Sequence, residues 1–244
     1  MSIDEATDLI HDGLARGVGR GATVSWAFFP GAGGGATLWQ PIAKRFSGTV
    51  TALPDVESVP AMADSLEAAL LMMPAPRILV GNSLGALVAL ECAQRVPVAG
   101  LMLLAAGWEF PVSEELIHRV DAKGAAMFPE TARRCVGPDG PPEHLTAVVA
   151  DFESREAGTM ARHLRAIRDH RPRIDPAVAQ PTTLVLRGGF DRSVSLRDHI
   201  ALTERTGGAL VPVGPAAHMP FVDHAEEVVR WLEHLRAIVV RGRG

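Results

Sequence analysis

The chain has 244 residues, of which 47% are hydrophobic and 21% charged, and it carries a formal net charge of −4. That length supports a substantial core, and the composition excludes wholesale disorder. The acidic balance argues against nucleic acid as a partner, because such surfaces are basic; two cysteines, Cys92 and Cys135, are too few for a disulfide framework and lack metal-knuckle spacing.

The first segment, MSIDEATDLIHDGL, places Asp4, Glu5 and Asp8 where a secretory signal would need basic and then apolar residues. The greasiest stretch, around residues 86–107, is interrupted by Glu91, Arg95 and Pro97, so no membrane span is expected and the cytoplasm is the expected location. Ser2 and Glu5 have the form of a helix capping box, followed by Ile3, Ala6, Ile10 and Leu14 at helical spacing. Apolar runs rich in strand formers lie at 23–29, 49–53, 77–80 and 98–105, with helices expected at 62–73 and 84–95. The alternation then stops, and helical pieces are expected at 114–125 and 156–168, around the loop VGPDGPP. It resumes with strands at 182–188 and 209–213 and helices at 196–205 and 222–239. Repeated strand–helix–strand units with continuously apolar strands predict an α/β fold, a mostly parallel sheet with helices on both faces. On this division residues 1–107 and 179–244 form the core, and 108–178 form an inserted helical cap over the strand ends where such sheets bind ligands.

The most informative local pattern is RILVGNSLGALVAL, in which Gly81-Asn82-Ser83-Leu84-Gly85 joins a strand to a helix. This G-x-S-x-G turn holds a serine hydroxyl at its tip, beside a helix N-terminus. Serine is a poor nucleophile until a base takes its proton, and the base must itself be oriented by an acid. Asp191, in RGGFDRSVS, and His218, in GPAAHMPF, each follow a later strand, giving the chain order Ser, Asp, His. His224 is a competing base expected inside the last helix and solvated, and Glu109 is a reserve acid. The glycine-rich stretch FFPGAGGGATLW follows the first strand. Its small residues allow backbone N–H groups to approach a substrate oxygen, with Ala32 and Leu84 as the two expected oxyanion donors. An alternative reading of the same stretch is a dinucleotide-binding turn, Gly31-x-Gly33-x-x-Ala36 with Asp55 downstream, which leaves the serine, aspartate and histidine without a role.

PGAGG, GNSLG, GGFDRSV and AAHMPF together resemble the α/β-hydrolase fold superfamily, from Thr23 to Val239. The resemblance implies Ser83 as nucleophile, His218 as base, Asp191 as its orienting acid, Ala32 and Leu84 as oxyanion-hole residues, and a cap that shapes specificity. It implies hydrolysis of a carboxylic ester or thioester on a small acyl substrate, with no cofactor or metal. Carbon–carbon bond or lactone hydrolysis would use the same residues, and a non-catalytic small-molecule binding protein is the reading from another class. Pro30-Gly31 replaces the family's usual His-Gly, and the family's antiparallel hairpin before the first central strand is missing. The shortened start is similar to stand-alone thioesterases acting on carrier-bound acyl chains. The GNS turn is similar to carbon–carbon bond hydrolases, although Leu84-Gly85-Ala86 departs from their Met-Gly-Gly. Trp108, Met127, Phe128 and Met219 are expected to contact substrate. Arg162, Arg165 and Arg168 recur every three residues on one helical face, as a solvated face or as a contact for an anionic substrate group. Oligomeric state is not fixed by the sequence.

Overall fold

Residues 23–156 and 158–242 are described by the structure, a computed structural model. The expected N-terminal helix and the expected absence of a hairpin before the first strand lie outside the described residues. Strand β1 (Ser25–Phe29) leads through a 3-10 turn (Thr37–Trp39) to α1 (Gln40–Arg45), β2 (Thr49–Val50), α2 (Val59–Met72), β3 (Arg77–Asn82), α3 (Leu84–Ala93) and β4 (Gly100–Leu104). Between β4 and the next strand lie α4 (Glu114–Lys123), a 3-10 turn (Gly124–Met127), α5 (Phe128–Cys135), α6 (Pro142–Glu153) and α7 (Thr159–Asp169). The chain then forms β5 (Thr182–Gly188), α8 (Leu196–Thr206), β6 (Ala209–Val213), α9 (Pro220–Asp223) and α10 (Ala225–Arg241). Among the described residues no helix is long and apolar enough to cross a membrane.

The strands pair in the order β2-β1-β3-β4-β5-β6, and every pair is parallel. Side chains alternate between two cores because successive strand residues point to opposite faces. Trp26, Phe28, Ile78, Val80, Met102 and Leu104 pack with Ile42 of α1 and Val228, Leu232 and Leu235 of α10. Ala27, Phe29, Leu79, Leu101 and Leu103 pack with Met62, Leu66 and Leu70 of α2 and the apolar face of α3. A central strand covered on both sides cannot tolerate truncation: Leu79, fully buried, would cost about 2–5 kcal/mol as alanine.

Several expected boundaries move. The strand expected at 49–53 shortens to two residues, since only Thr49 and Val50 find partners on β1. Leu53 instead turns into the core while its carbonyl accepts from Arg155 Nη2 at 2.8 Å. The strand expected to reach Ala105 stops at Leu104, because Ala105 takes φ +50. The second helix starts earlier than expected, at Val59, capped by Ser58 Oγ accepting the Ala61 N–H at 3.3 Å. Helices α5 and α6 lie where no helix is expected, although in α6 Leu145, Val148, Val149 and Phe152 have helical spacing. His224 is not inside the last helix as expected: it stands at the break between α9 and α10, half-buried.

Candidate active site

Ser83 sits where β3 turns directly into α3, with φ +55 and ψ −118. This conformation costs a residue with a side chain about 1–3 kcal/mol, so neighbouring bonds must hold it. The Ser83 N–H donates to the Leu104 carbonyl at 2.8 Å, and its own carbonyl accepts the N–H groups of Ala86 and Leu87 at 3.0 and 3.3 Å. The flanking glycines are required by close approach. A Cβ on Gly81 would lie 2.2 Å from the Gly85 carbonyl oxygen, and one on Gly85 would lie 2.2 Å from that of Phe29. The N–H of Leu84 opens the helix and therefore has no carbonyl of the helix to bond, which leaves it available at the tip.

Asp191 and His218 come from the loops after β5 and β6. His218 Nδ1 lies 3.1 Å from each Asp191 carboxylate oxygen. Facing an ionised carboxylate, Nδ1 carries the proton and Nε2 is left with a lone pair. The carboxylate is itself held by the N–H groups of Ser193 and Val194, which donate to Oδ1 at 2.8 and 3.2 Å. Burial alone would raise the Asp191 carboxyl; His218 and the two N–H donors outweigh it and pull it down to about 2. Two anchors place the His218 loop. Asn82 Nδ2 donates to the His218 carbonyl at 3.2 Å, tying it to the residue before Ser83, and the Met219 N–H donates to the Cys135 carbonyl at 2.9 Å. Glu109, the reserve acid, is exposed to solvent.

Ser83 and His218 line one cavity of about 510 Å³ together with Gly31, Ala32 and Met219. Its other wall comes from the helices between β4 and β5, through Met127, Phe152, Met160, Leu164 and Ile167. The volume suits a small ligand. Of the four expected substrate contacts, Met127 and Met219 face this space and Trp108 and Phe128 do not. Trp108 carries the Arg205 guanidinium 5.1 Å from its ring centroid, and its backbone N–H donates to the Asp198 carbonyl at 3.1 Å. Phe128 packs on Phe152 in the core, ring centroids 5.6 Å apart.

The arginines of α7 also have partners of their own. Arg162 is bidentate to Asp55, Arg165 bridges Glu57 and Asp121, and Arg168 pairs with Glu114 and Asp169. None of the three lines the Ser83 cavity. The same contacts overturn the dinucleotide alternative, because Asp55 is occupied by Arg162 and Thr159. The N–H groups that would cradle a pyrophosphate are also taken: Gly35 donates to Asp151 Oδ2 at 2.8 Å, Thr37 to Asp151 Oδ1 at 3.0 Å, and Gly33 to His163 Nδ1 at 3.1 Å. Asp151 and His163 escaped the sequence reading, since each is one polar residue in an amphipathic helix and its partners are backbone groups more than a hundred residues away. Among the described residues no three His, Cys, Asp or Glu side chains cluster to hold a metal ion.

A protein from Mycobacterium marinum named thioesterase TesA is 39% identical over 95 residues, which is 32% of this chain and 37% of that protein's length. A thermophilic esterase from Thermogutta terrifontis has a similar structure, with a TM-score of 0.74, 23% identity, and coverage of 90% of this chain and 91% of that one. The enol-lactonase from Burkholderia xenovorans LB400 matches with a TM-score of 0.76 at 17% identity, covering 91% of this chain and 94% of its own. The sequence pattern of the alpha/beta hydrolase family matches residues 10–231. The parallel sheet, the flanking helices and this match across most of the sequence lead to one conclusion: the chain belongs to the alpha/beta hydrolase family.

Proposed function

We propose that the protein is a serine hydrolase that cleaves a carboxylic ester or thioester, with Ser83 as nucleophile, His218 as base and Asp191 as the acid that orients it. The observation that carries this reading is the 3.1 Å approach of both Asp191 oxygens to His218 Nδ1, on a histidine that shares a cavity with Ser83. Asp191 directs the other ring nitrogen, the one with the lone pair, toward its substrate-side role. The helices of residues 108–178 act as a cap whose inner wall receives the acyl group.

His218 Nε2 takes the Ser83 proton as Oγ attacks the carbonyl carbon, and Asp191 stabilises the imidazolium. The N–H groups of Ala32 and Leu84 receive the oxygen as it becomes negative; removing one such donor costs about 3 kcal/mol of transition-state stabilisation. The imidazolium then gives its proton to the departing alkoxide or thiolate, leaving an acyl-serine. Water enters and attacks the acyl carbon as His218 takes its proton; the imidazolium then returns that proton to the departing Ser83 Oγ, which releases the carboxylic acid and restores the enzyme. The apolar wall of Met127, Phe152, Met160 and Leu164 favours an acyl group of modest size. The relative named a thioesterase supports the thioester branch.

The experiment is a panel of p-nitrophenyl esters, acyl thioesters and lactones ranked by kcat/KM, run beside Ser83→Ala. Turnover of an ester or thioester that disappears in Ser83→Ala is expected. A protein that turns over none of them, or whose turnover survives Ser83→Ala, is not this hydrolase, and retained ligand binding without turnover would favour the binding-protein alternative.

A further inference from the structure

The loop that carries Ala32 is made of small residues, Gly31-Ala32-Gly33-Gly34-Gly35-Ala36, with no side chain able to anchor it from within. An N–H can stabilise an oxyanion only if it is already aimed when the charge develops, so something else must hold this backbone. The holders are two buried side chains from the helices over the cavity. Asp151, on α6, receives the Gly35 and Thr37 N–H groups on its two oxygens, at 2.8 and 3.0 Å. His163, on α7 and fully buried, receives the Gly33 N–H on Nδ1 at 3.1 Å, and its Nε2 lies 3.0 Å from the Pro54 carbonyl.

These partners leave the imidazole one form. A backbone N–H can only donate and a carbonyl can only accept, so Nδ1 is bare and Nε2 carries the hydrogen. A second proton, on Nδ1, would break the bond to Gly33. The surroundings oppose that proton overall: burial pushes the His163 imidazole below its ordinary range, the Pro54 carbonyl and Asp55 pull the other way, and Arg155 and Arg162 add to burial. The Gly34 N–H closes back on the Gly31 carbonyl at 3.1 Å, so Ala32 lies inside a turn pinned on its far side by Gly33 and Gly35. The same α7 sends Met160, Leu164 and Ile167 into the cavity wall.

We propose that His163 and Asp151 are positioning residues for oxyanion stabilisation, side chains of the overlying helices that fix the glycine-rich loop and aim the Ala32 N–H at the reacting oxygen. This inference rests on the hydrolase reading above and adds a link between acyl recognition and rate. An acyl group that seats against Met160 and Leu164 bears on the helix that sets the oxyanion loop. Substrates with similar KM then differ in kcat according to how they fill that wall.

The test compares full-length wild type with His163→Leu, which removes the acceptor, and His163→Asn, whose Oδ1 can take the Gly33 N–H in place of Nδ1. Each is measured for ester kcat and KM, for inhibition by a trifluoromethyl ketone that forms a tetrahedral adduct, and for thermal unfolding. His163→Leu is expected to lower kcat by about 10- to 100-fold with KM within about twofold, and to weaken the ketone by a similar factor. His163→Asn is expected to restore most of both. If His163→Leu does not fold, Asp151→Asn serves in its place. That change retains one acceptor, turns an amide NH₂ toward the other N–H, and is expected to lower kcat and ketone affinity together. Unchanged kcat in a folded His163→Leu, or equal losses in the leucine and asparagine variants, overturns the proposal while the hydrolase reading stands. A wild type without turnover of any substrate overturns both.

Discussion

Replacing Gly81 with alanine puts the strand-to-helix turn under a strain whose size follows from the coordinates. The new Cβ would lie 2.2 Å from the Gly85 carbonyl oxygen, 2.3 Å from its carbon and 2.5 Å from the Ala86 nitrogen, where ordinary contact begins at 3.4 Å. All three neighbours are backbone of the first turn of α3, so no side-chain rotation relieves the clash and the helix start must withdraw by about 1.2 Å. Overpacking against rigid backbone sits at the upper end of the usual range, about 3 kcal/mol. In a chain of this size that lowers Tm by about 6–12 °C. The withdrawal carries Ser83 Oγ and the Leu84 N–H with it, and a displacement near 1 Å at the reacting groups costs about 100-fold in kcat. Gly124→Ala is the control: nothing lies within 4 Å of the added Cβ, but the backbone at φ +52 and ψ −130 is nearly that of Ser83, so the cost is about 1–3 kcal/mol of backbone strain with kcat unchanged. Circular dichroism melts and p-nitrophenyl ester kinetics on both variants make the comparison. A Gly81→Ala protein with wild-type Tm and kcat would refute the claim that α3 is seated against β3 as tightly as described.

Asp191→Asn is expected to keep the fold and lower kcat by about 10⁴-fold, because the amide no longer holds the His218 proton on Nδ1; a loss under tenfold in steady-state kinetics would count against its role. Met127→Ala is expected to shift the acyl-chain preference in kcat/KM while Trp108→Ala does not, since only Met127 faces the cavity; the reverse pattern would mean that the binding wall lies elsewhere. Stability is expected to fall in acid. Burial lowers the pKa of His163, His170 and His199 from the ordinary 6.5, so the unfolded chain takes up protons near that value while the folded chain resists them. Their contribution is complete above pH about 6.5 and declines as pH falls below it toward the folded-state values. Tm measured from pH 8 to 5 should therefore drop, and a flat or rising profile would contradict the neutral, buried state of these rings.

How legible each part was in the sequence follows from how local its cause is. Ser83, Asp191 and His218 stand in short glycine-bearing or strand-ending segments, so their neighbours in the chain announce the turn that presents them. The strands were equally visible because both faces of a buried parallel sheet demand unbroken apolar runs. The prolines and glycines of VGPDGPP read as an extended loop and hide the start of α6, which Pro142 in fact opens. Apolar character alone points Trp108 and Phe128 at substrate, and it does not distinguish a cavity wall from a core contact. In three dimensions Arg205 lies over Trp108 and Phe128 packs on Phe152, and neither Trp108 nor Phe128 lines the Ser83 cavity. Asp151 and His163 mark the limit of such reading. Nothing near them in the chain signals that their partners are the N–H groups of a loop after β1.

The most direct measurement of the central assignment is covalent labelling with a fluorophosphonate, followed by peptide mass spectrometry, in wild type and His218→Ala. A single adduct on Ser83, formed at least 100-fold more slowly without His218, is the expected result. Labelling at another residue, or labelling of Ser83 at a rate indifferent to His218, would contradict the assignment of Ser83 as a nucleophile activated by that histidine.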